Sequence, residues 1–166
     1  MGRVSVDLEV ANNDDVALAE RGAIPKNQVR RQTIRAIVDS GATKLVLPGK
    51  LVKELGLRRG NEKVTVRYAD GRTAQRARAE SVYVALLGRH GTFSAVVEPK
   101  RQTALLGAIV LEDLDLLVDC PNERVVPRDP RGQIHEIERG DTRGQRGSPN
   151  CWQLGLDGGI EKFVAP

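Results

Sequence analysis

Short runs of alternating apolar residues, each closed by a turn signal, occupy most of residues 1–127 and leave room for little but strands. Val4, Val6, Leu8 and Val10 alternate with Ser5, Asp7 and Glu9, the period of two that a half-buried strand requires. Asn12-Asn13-Asp14-Asp15 breaks that run, and residues 16–31 read as a polar connection or a longer hairpin arm. Thr33 to Val38 is again strand-like and stops at Asp39-Ser40-Gly41, and Leu45-Val46-Leu47 is a short apolar strand. Pro48 suits a first helical position, with Leu51, Val52 and Leu55 as the apolar face of a short helix ending at Gly56. Val64, Val66 and Tyr68 alternate with Thr65 and Arg67 up to a hairpin turn at Ala69-Asp70-Gly71-Arg72, whose return strand runs to Leu87. A turn at Gly88-Arg89-His90-Gly91 and a strand from Thr92 to Val97 follow. A compact helix from Ala108 to Leu114 and strands at Leu116–Val118 and Arg124–Val126 complete the pattern. The predicted class is all-β, a barrel or sandwich with one or two short helices.

The chain has 166 residues, enough for one domain with an appendage. Residues 128–166 have a different character: they hold 7 of the 17 glycines, six acids balance six bases, and no period persists. They are expected to form a flexible, largely irregular C-terminal extension to a domain spanning residues 1–127, although Cys151, Trp152, Leu154, Leu156, Phe163 and Val164 are apolar enough to dock.

Several function classes drop out. Lysine and arginine number 26 against 22 acids, and the resulting +4 is too small to argue for nucleic acid. Aromatic residues make up only 3%, which removes the stacking platform of single-strand binders. Cys120 and Cys151 cannot build a disulfide framework, and Cys120 reads as a small core residue. His90 and His135 form no zinc-ligand cluster, so no metal or cofactor is expected. The greasiest stretch, Leu105 to Val118, is broken by Glu112, Asp113 and Asp115, so no membrane span is expected. Met1 to Val6 offers no signal-peptide core, and the expectation is a soluble cytoplasmic protein.

The segment that can carry chemistry is Ala36-Ile37-Val38-Asp39-Ser40-Gly41-Ala42-Thr43. An apolar strand delivers an aspartate into a tight turn, and a carboxylate at the end of a rigid strand is held accurately enough for acid–base work. Taken alone, Asp-Ser-Gly is also a common strand-ending turn whose aspartate bonds local backbone N–H groups. No phosphate-binding loop and no G-x-S-x-G nucleophile elbow competes with it.

This octet resembles the active-site loop of retropepsin-like aspartic proteases, bacterial members included. The likeness continues downstream in order. Tyr68-Ala69-Asp70-Gly71 resembles the tip of the family's β-hairpin flap, and Leu105-Leu106-Gly107 with the helix after it resembles the family's hydrophobic-hydrophobic-glycine motif. Leu116 to Pro127 resembles the closing strands of bacterial members. The resemblance implies a closed β-barrel over residues 1–127 and an aspartic endopeptidase with Asp39 as the catalytic carboxylate. It implies that Ser40 braces the loops, Gly41 admits substrate backbone and Ala42 lines the cleft. Further substrate contacts would come from Tyr68, Ala69, Asp70, Gly71, Leu105, Leu106 and Gly107. Departures exist: Thr43-Lys44 and Ala108 stand where retroviral members carry an acidic residue and its arginine partner, and the flap is decorated with arginine rather than glycine.

The chemistry requires two carboxylates, and the chain has one Asp-Ser/Thr-Gly. The resemblance therefore implies a homodimer acting on a peptide or protein substrate, with one Asp39 from each copy. A non-catalytic dimerisation or peptide-binding module on the same fold is the alternative, and a small barrel binding nucleic acid through its arginines is a more distant one. Arg72, Arg76 and Arg78 share parity with Glu80, which reads as a solvated face or, less commonly, as a selector of acidic substrates.

Overall fold

The computed structural model of the chain describes residues 4–135; the apolar residues from Cys151 to Val164 lie outside the described residues. Strands β1 (Ser5–Asn12), β2 (Arg31–Val38), β3 (Leu45–Pro48), β4 (Arg59–Arg67), β5 (Thr73–Leu86), β6 (Arg89–Glu98) and β7 (Ala104–Leu106) form one sheet. Its order is β1-β2-β7-β3-β6-β5-β4, and β5 also pairs with β1, through Glu9↔Ala85 to Asn12↔Val82. That pairing closes six strands into a barrel and leaves β4 outside the ring, attached to β5 alone. Leu8, Val10, Ala36, Leu45, Leu47, Val82, Val84 and Leu106 fill the interior, the inward halves of the alternating patterns.

β5 serves two structures because it bends. Its first half pairs with β4, its second with β1, and the register with β6 shifts between Ala79 and Val82. Ser81 sits at φ 53° in that shift, the signature of a bulge that redirects a strand. The β4–β5 hairpin thereby projects from the barrel.

Three α-helices are present among the described residues. α2 (Gly49–Glu54) and α3 (Ala108–Asp113) lie where the sequence places them. The third, α1 (Asn13–Glu20), falls in the segment expected as a polar connection. The Asn-Asn-Asp-Asp break proves to be a helix start: Asn12 Oδ1 accepts the Asp14 N–H at 3.0 Å, and Asp14 and Asp15 occupy the first turn. Asn12 Nδ2 also donates to the carbonyls of Leu55 and Gly56, and Asp15 holds Arg30 in a two-pronged ion pair at 2.7 and 2.8 Å.

Two smaller expectations change. The β5–β6 turn is Leu87-Gly88 rather than Gly88–Gly91, because both residues take positive φ and Leu86 pairs directly with Arg89. Cys120 is exposed rather than in the core, since it stands in the turn between β8 (Leu116–Asp119) and β9 (Arg124–Pro127). Those two strands form a hairpin of their own and pair with no strand of the larger sheet. Contacts also run past Pro127: the buried Arg89 donates to the carbonyls of Asp129 and Gly132 at 2.6 and 2.7 Å, and Arg128 Nε reaches Asp115 at 2.7 Å. Among the described residues no helix is long and apolar enough to cross a membrane.

Candidate active site

β2 and β7 run parallel, with Ala36↔Ala104, Ile37↔Leu105 and Val38↔Leu106 in register. Two segments that lie far apart in sequence, Asp39-Ser40-Gly41 and Leu105-Leu106-Gly107, therefore emerge side by side. Asp39 N donates to Leu106 O at 3.0 Å, and Val38 N to Val4 O at 2.9 Å, so the strand end is held on both sides. Beyond it, Ala42 N returns to Asp39 O at 3.1 Å and closes the turn. The Asp39 carboxylate is exposed, and its Oδ1 accepts the Gly41 N–H at 3.0 Å. No other hydrogen bond to that carboxylate occurs among the described residues, so Oδ2 is free to act.

The turn is clamped from the second motif. The first N–H groups of α3, those of Ala108 and Ile109, donate to the carbonyls of Ala42 and Thr43 at 2.8 and 3.1 Å. Gly107 makes the approach possible. A Cβ there would crowd the Lys44 carbonyl and lie 2.7 Å from Ala42 O, and both neighbours are backbone. The aspartate turn, the glycine and the helix start are one interlocked unit.

A cavity of about 800 Å³ opens between this unit and the projecting hairpin. Asp39, Gly41, Ala42 and Leu105 line it from the barrel, and Tyr68, Ala69 and Asp70 from the hairpin tip. Ser40 and Gly71 are exposed outside its wall, while Leu106 and Gly107 are buried behind it. The turn at the tip is set by Gly71 at φ +82° and by Tyr68 N donating to Arg72 O at 2.8 Å.

Sequence reasoning did not find the rest of the wall: Val46, Val66 and Val96 make it apolar, and Lys44, Arg67, Glu98 and Arg101 charge it. Parity along β3, β4 and β6 is the signal that groups the valines. The charged group has no local signal, because Glu98 is held by partners 22 and 30 residues away: Arg76 Nε at 2.8 Å and Tyr68 Oη at 2.6 Å. The Arg76 guanidinium also lies 5.8 Å from the centre of the Tyr68 ring. Burial pushes the Glu98 carboxyl up, but the hydrogen bonds from Arg76 and Tyr68 outweigh it and hold the group below the usual carboxylate range. The same bond to Glu98 raises the Tyr68 hydroxyl. At the tip, Arg72 holds Asp70 low by side-chain and backbone hydrogen bonds. The arginine face foreseen around the tip and first half of β5 is thus divided: Arg72 pairs with Asp70, Arg76 with Glu98 and Arg78 with Glu80.

A carboxylate at a rigid strand end, in a cleft roofed by a hairpin, can act as a general base if a second acid shares the load. The acids nearby are committed elsewhere. Asp70 and Glu98 are tied to arginines, and neither Asp113, Asp115 nor Asp119 lines the cavity. Asp115 is buried against Arg89 and Arg128.

Residues 26–113 match the family model described as gag-polyprotein putative aspartyl protease. No curated protein matches the chain. Among solved structures, the chain is similar to the EIAV protease complexed with the inhibitor HBY-793, at 20% identity over 68% of this chain and 88% of that one, with a TM-score of 0.46.

Proposed function

The chain belongs to the gag-polyprotein aspartyl protease family, and from that premise we propose that it is an aspartic endopeptidase working as a homodimer, with Asp39 of each copy forming the catalytic pair. One observation carries the reading: Asp39 stands exposed at the floor of a hairpin-roofed cavity of about 800 Å³ with one carboxylate oxygen unengaged among the described residues. The committed state of Asp70, Glu98 and Asp115 favours a second chain as the source of the other acid.

Two carboxylates about 3 Å apart cannot both ionise, so such a pair shares one proton. The ionised member takes a proton from a water, whose oxygen attacks the peptide carbonyl carbon, while the protonated member donates to the carbonyl oxygen. Collapse of the tetrahedral intermediate moves a proton to the leaving nitrogen and restores the pair. Gly41, Ala42 and Leu105 would lie along the substrate, the hairpin residues Tyr68 to Gly71 would act as the flap over it, and Ser40 would face the other copy.

Asp39→Asn tests this. The substitution keeps size and removes the only group able to accept the water's proton, so peptide cleavage should fall by several orders of magnitude while the assembly persists. Near-wild-type cleavage by the folded variant would end the proposal. Peptide binding by the wild type with no cleavage would instead favour a peptide-binding module.

A further inference from the structure

The charges in the cleft do not balance. Lys44, Arg67, Arg72 and Arg101 line it, against Asp39, Asp70 and Glu98. Asp70 is neutralised by Arg72, and Glu98 by Arg76 from β5. Among the described residues Lys44, Arg67 and Arg101 have no carboxylate partner, and all three share the cavity with Asp39. Arg101 is braced rather than paired: its Nε donates to Thr103 O at 2.7 Å, which fixes the guanidinium and leaves its terminal N–H groups to a ligand. A second hollow of about 690 Å³ continues the cleft past Tyr68, Glu98 and Arg101 and adds the exposed Lys100.

We propose that this cleft selects acidic peptides: apolar side chains at the cleaved bond, against Val46, Val66, Val96 and Leu105, and aspartate or glutamate in the flanking positions, received by Lys44, Arg67 and Arg101. This rests on the endopeptidase reading above and names its substrate class. The physical case strengthens in a homodimer, which doubles the three cations while the Asp39 pair holds a single negative charge. Self-repulsion among those cations is relieved when a ligand brings carboxylates, and arginine binds a carboxylate through two parallel N–H donors. Most of these side chains are solvent-exposed, so the attraction acts over a Debye length and weakens as salt rises. The arginines that sequence parity singled out are not the selectors, because each already holds an acid of its own chain.

The experiment uses peptide pairs with the same apolar centre and either Glu or Gln in the flanking positions. Each is made with a natural amide, for cleavage, and with a reduced, uncleavable bond, for binding by fluorescence anisotropy. The full-length wild type should bind the Glu form about tenfold more tightly than the Gln form at about 50 mM salt, with the ratio collapsing at about 1 M. Lys44→Glu/Arg67→Glu, at two exposed positions, should abolish or reverse the preference, and Arg101→Gln should reduce it. Reversing Arg21 and Lys26, which do not line the cavity, should leave it unchanged. Equal binding of the two forms, or no binding of either, overturns the inference, as does a preference that survives the Lys44/Arg67 variant or disappears in the Arg21/Lys26 control. An acidic preference in binding with neither natural peptide cleaved would sink the endopeptidase reading and leave the selectivity standing.

Discussion

Gly107 carries no side chain because its surroundings leave no space for one. Its backbone, at φ −90° and ψ 175°, is open to any residue, so the requirement is contact rather than conformation. An alanine Cβ would press on the carbonyl of Ala42 at 2.7 Å and the amide nitrogen of Lys44 at 2.8 Å, and backbone cannot rotate away. Gly107→Ala should therefore push the Asp39 turn off β7 and α3. The expected cost is about 1–3 kcal/mol, typical of overpacking, read as a lower urea midpoint with an unchanged slope. Activity should fall further than stability, since the same strain displaces the aspartate. Gly41 is less confined: an added Cβ would sit 3.2 Å from Asp39 Oδ1, which touches the carboxylate and little else.

At the scale of elements, alternation is a local property, and strands β1 and β4 could be read from it directly, while turn signals bounded β2, β5 and β6. So could the two motifs, because each is contiguous. What escaped has non-local causes. α1 begins at a residue type that both breaks strands and caps helices, and its choice is settled by Asn12 bonding Leu55 and Gly56, more than forty residues on. The charged wall of the cleft depends on Glu98 meeting Tyr68 and Arg76 across three strands. The contacts past Pro127 were equally hidden, since Arg89 looks like a turn residue until Asp129 and Gly132 fold over it. This predicts that a chain stopped after Pro127 is less stable than one stopped after His135. The shorter chain loses two carbonyl acceptors from a buried guanidinium as well as the Arg128–Asp115 pair. Charge-assisted bonds of this kind make the expected difference about 2–4 kcal/mol, read as a gap between denaturation midpoints. Equal midpoints would keep the boundary at Pro127.

The whole molecule faces two conditions that pull against each other, one set by the proposed catalytic pair and one by the fold. A pair divided between copies makes specific activity fall on dilution, which activity measured against protein concentration should show. A pair sharing one proton also puts maximal activity on the acid side of neutrality. The fold resists that side. Hydrogen bonds from Arg30, Arg72, Asn122 and Arg131 hold Asp15, Asp70, Asp119 and Asp129 below the usual carboxylate range. Asp115 is raised by burial, yet the Ile134 N–H, Arg89 and Arg128 together bring it below that range too. With Glu98, every shifted carboxylate among the described residues moves the same way. A carboxyl whose folded value is depressed contributes its stability above the unfolded value, about 4, and loses it as pH falls through the folded value. The melting temperature should therefore hold from neutrality to about pH 5 and drop steeply below about pH 4. Because none of these carboxylates is Asp39, the Asp39→Asn variant should show the same drop, measured by circular dichroism across the same buffers. A melting temperature that stays flat to about pH 3, or a drop present only in the wild type, would mean that the ion pairs around Asp15, Glu98 and Asp115 do not govern acid stability.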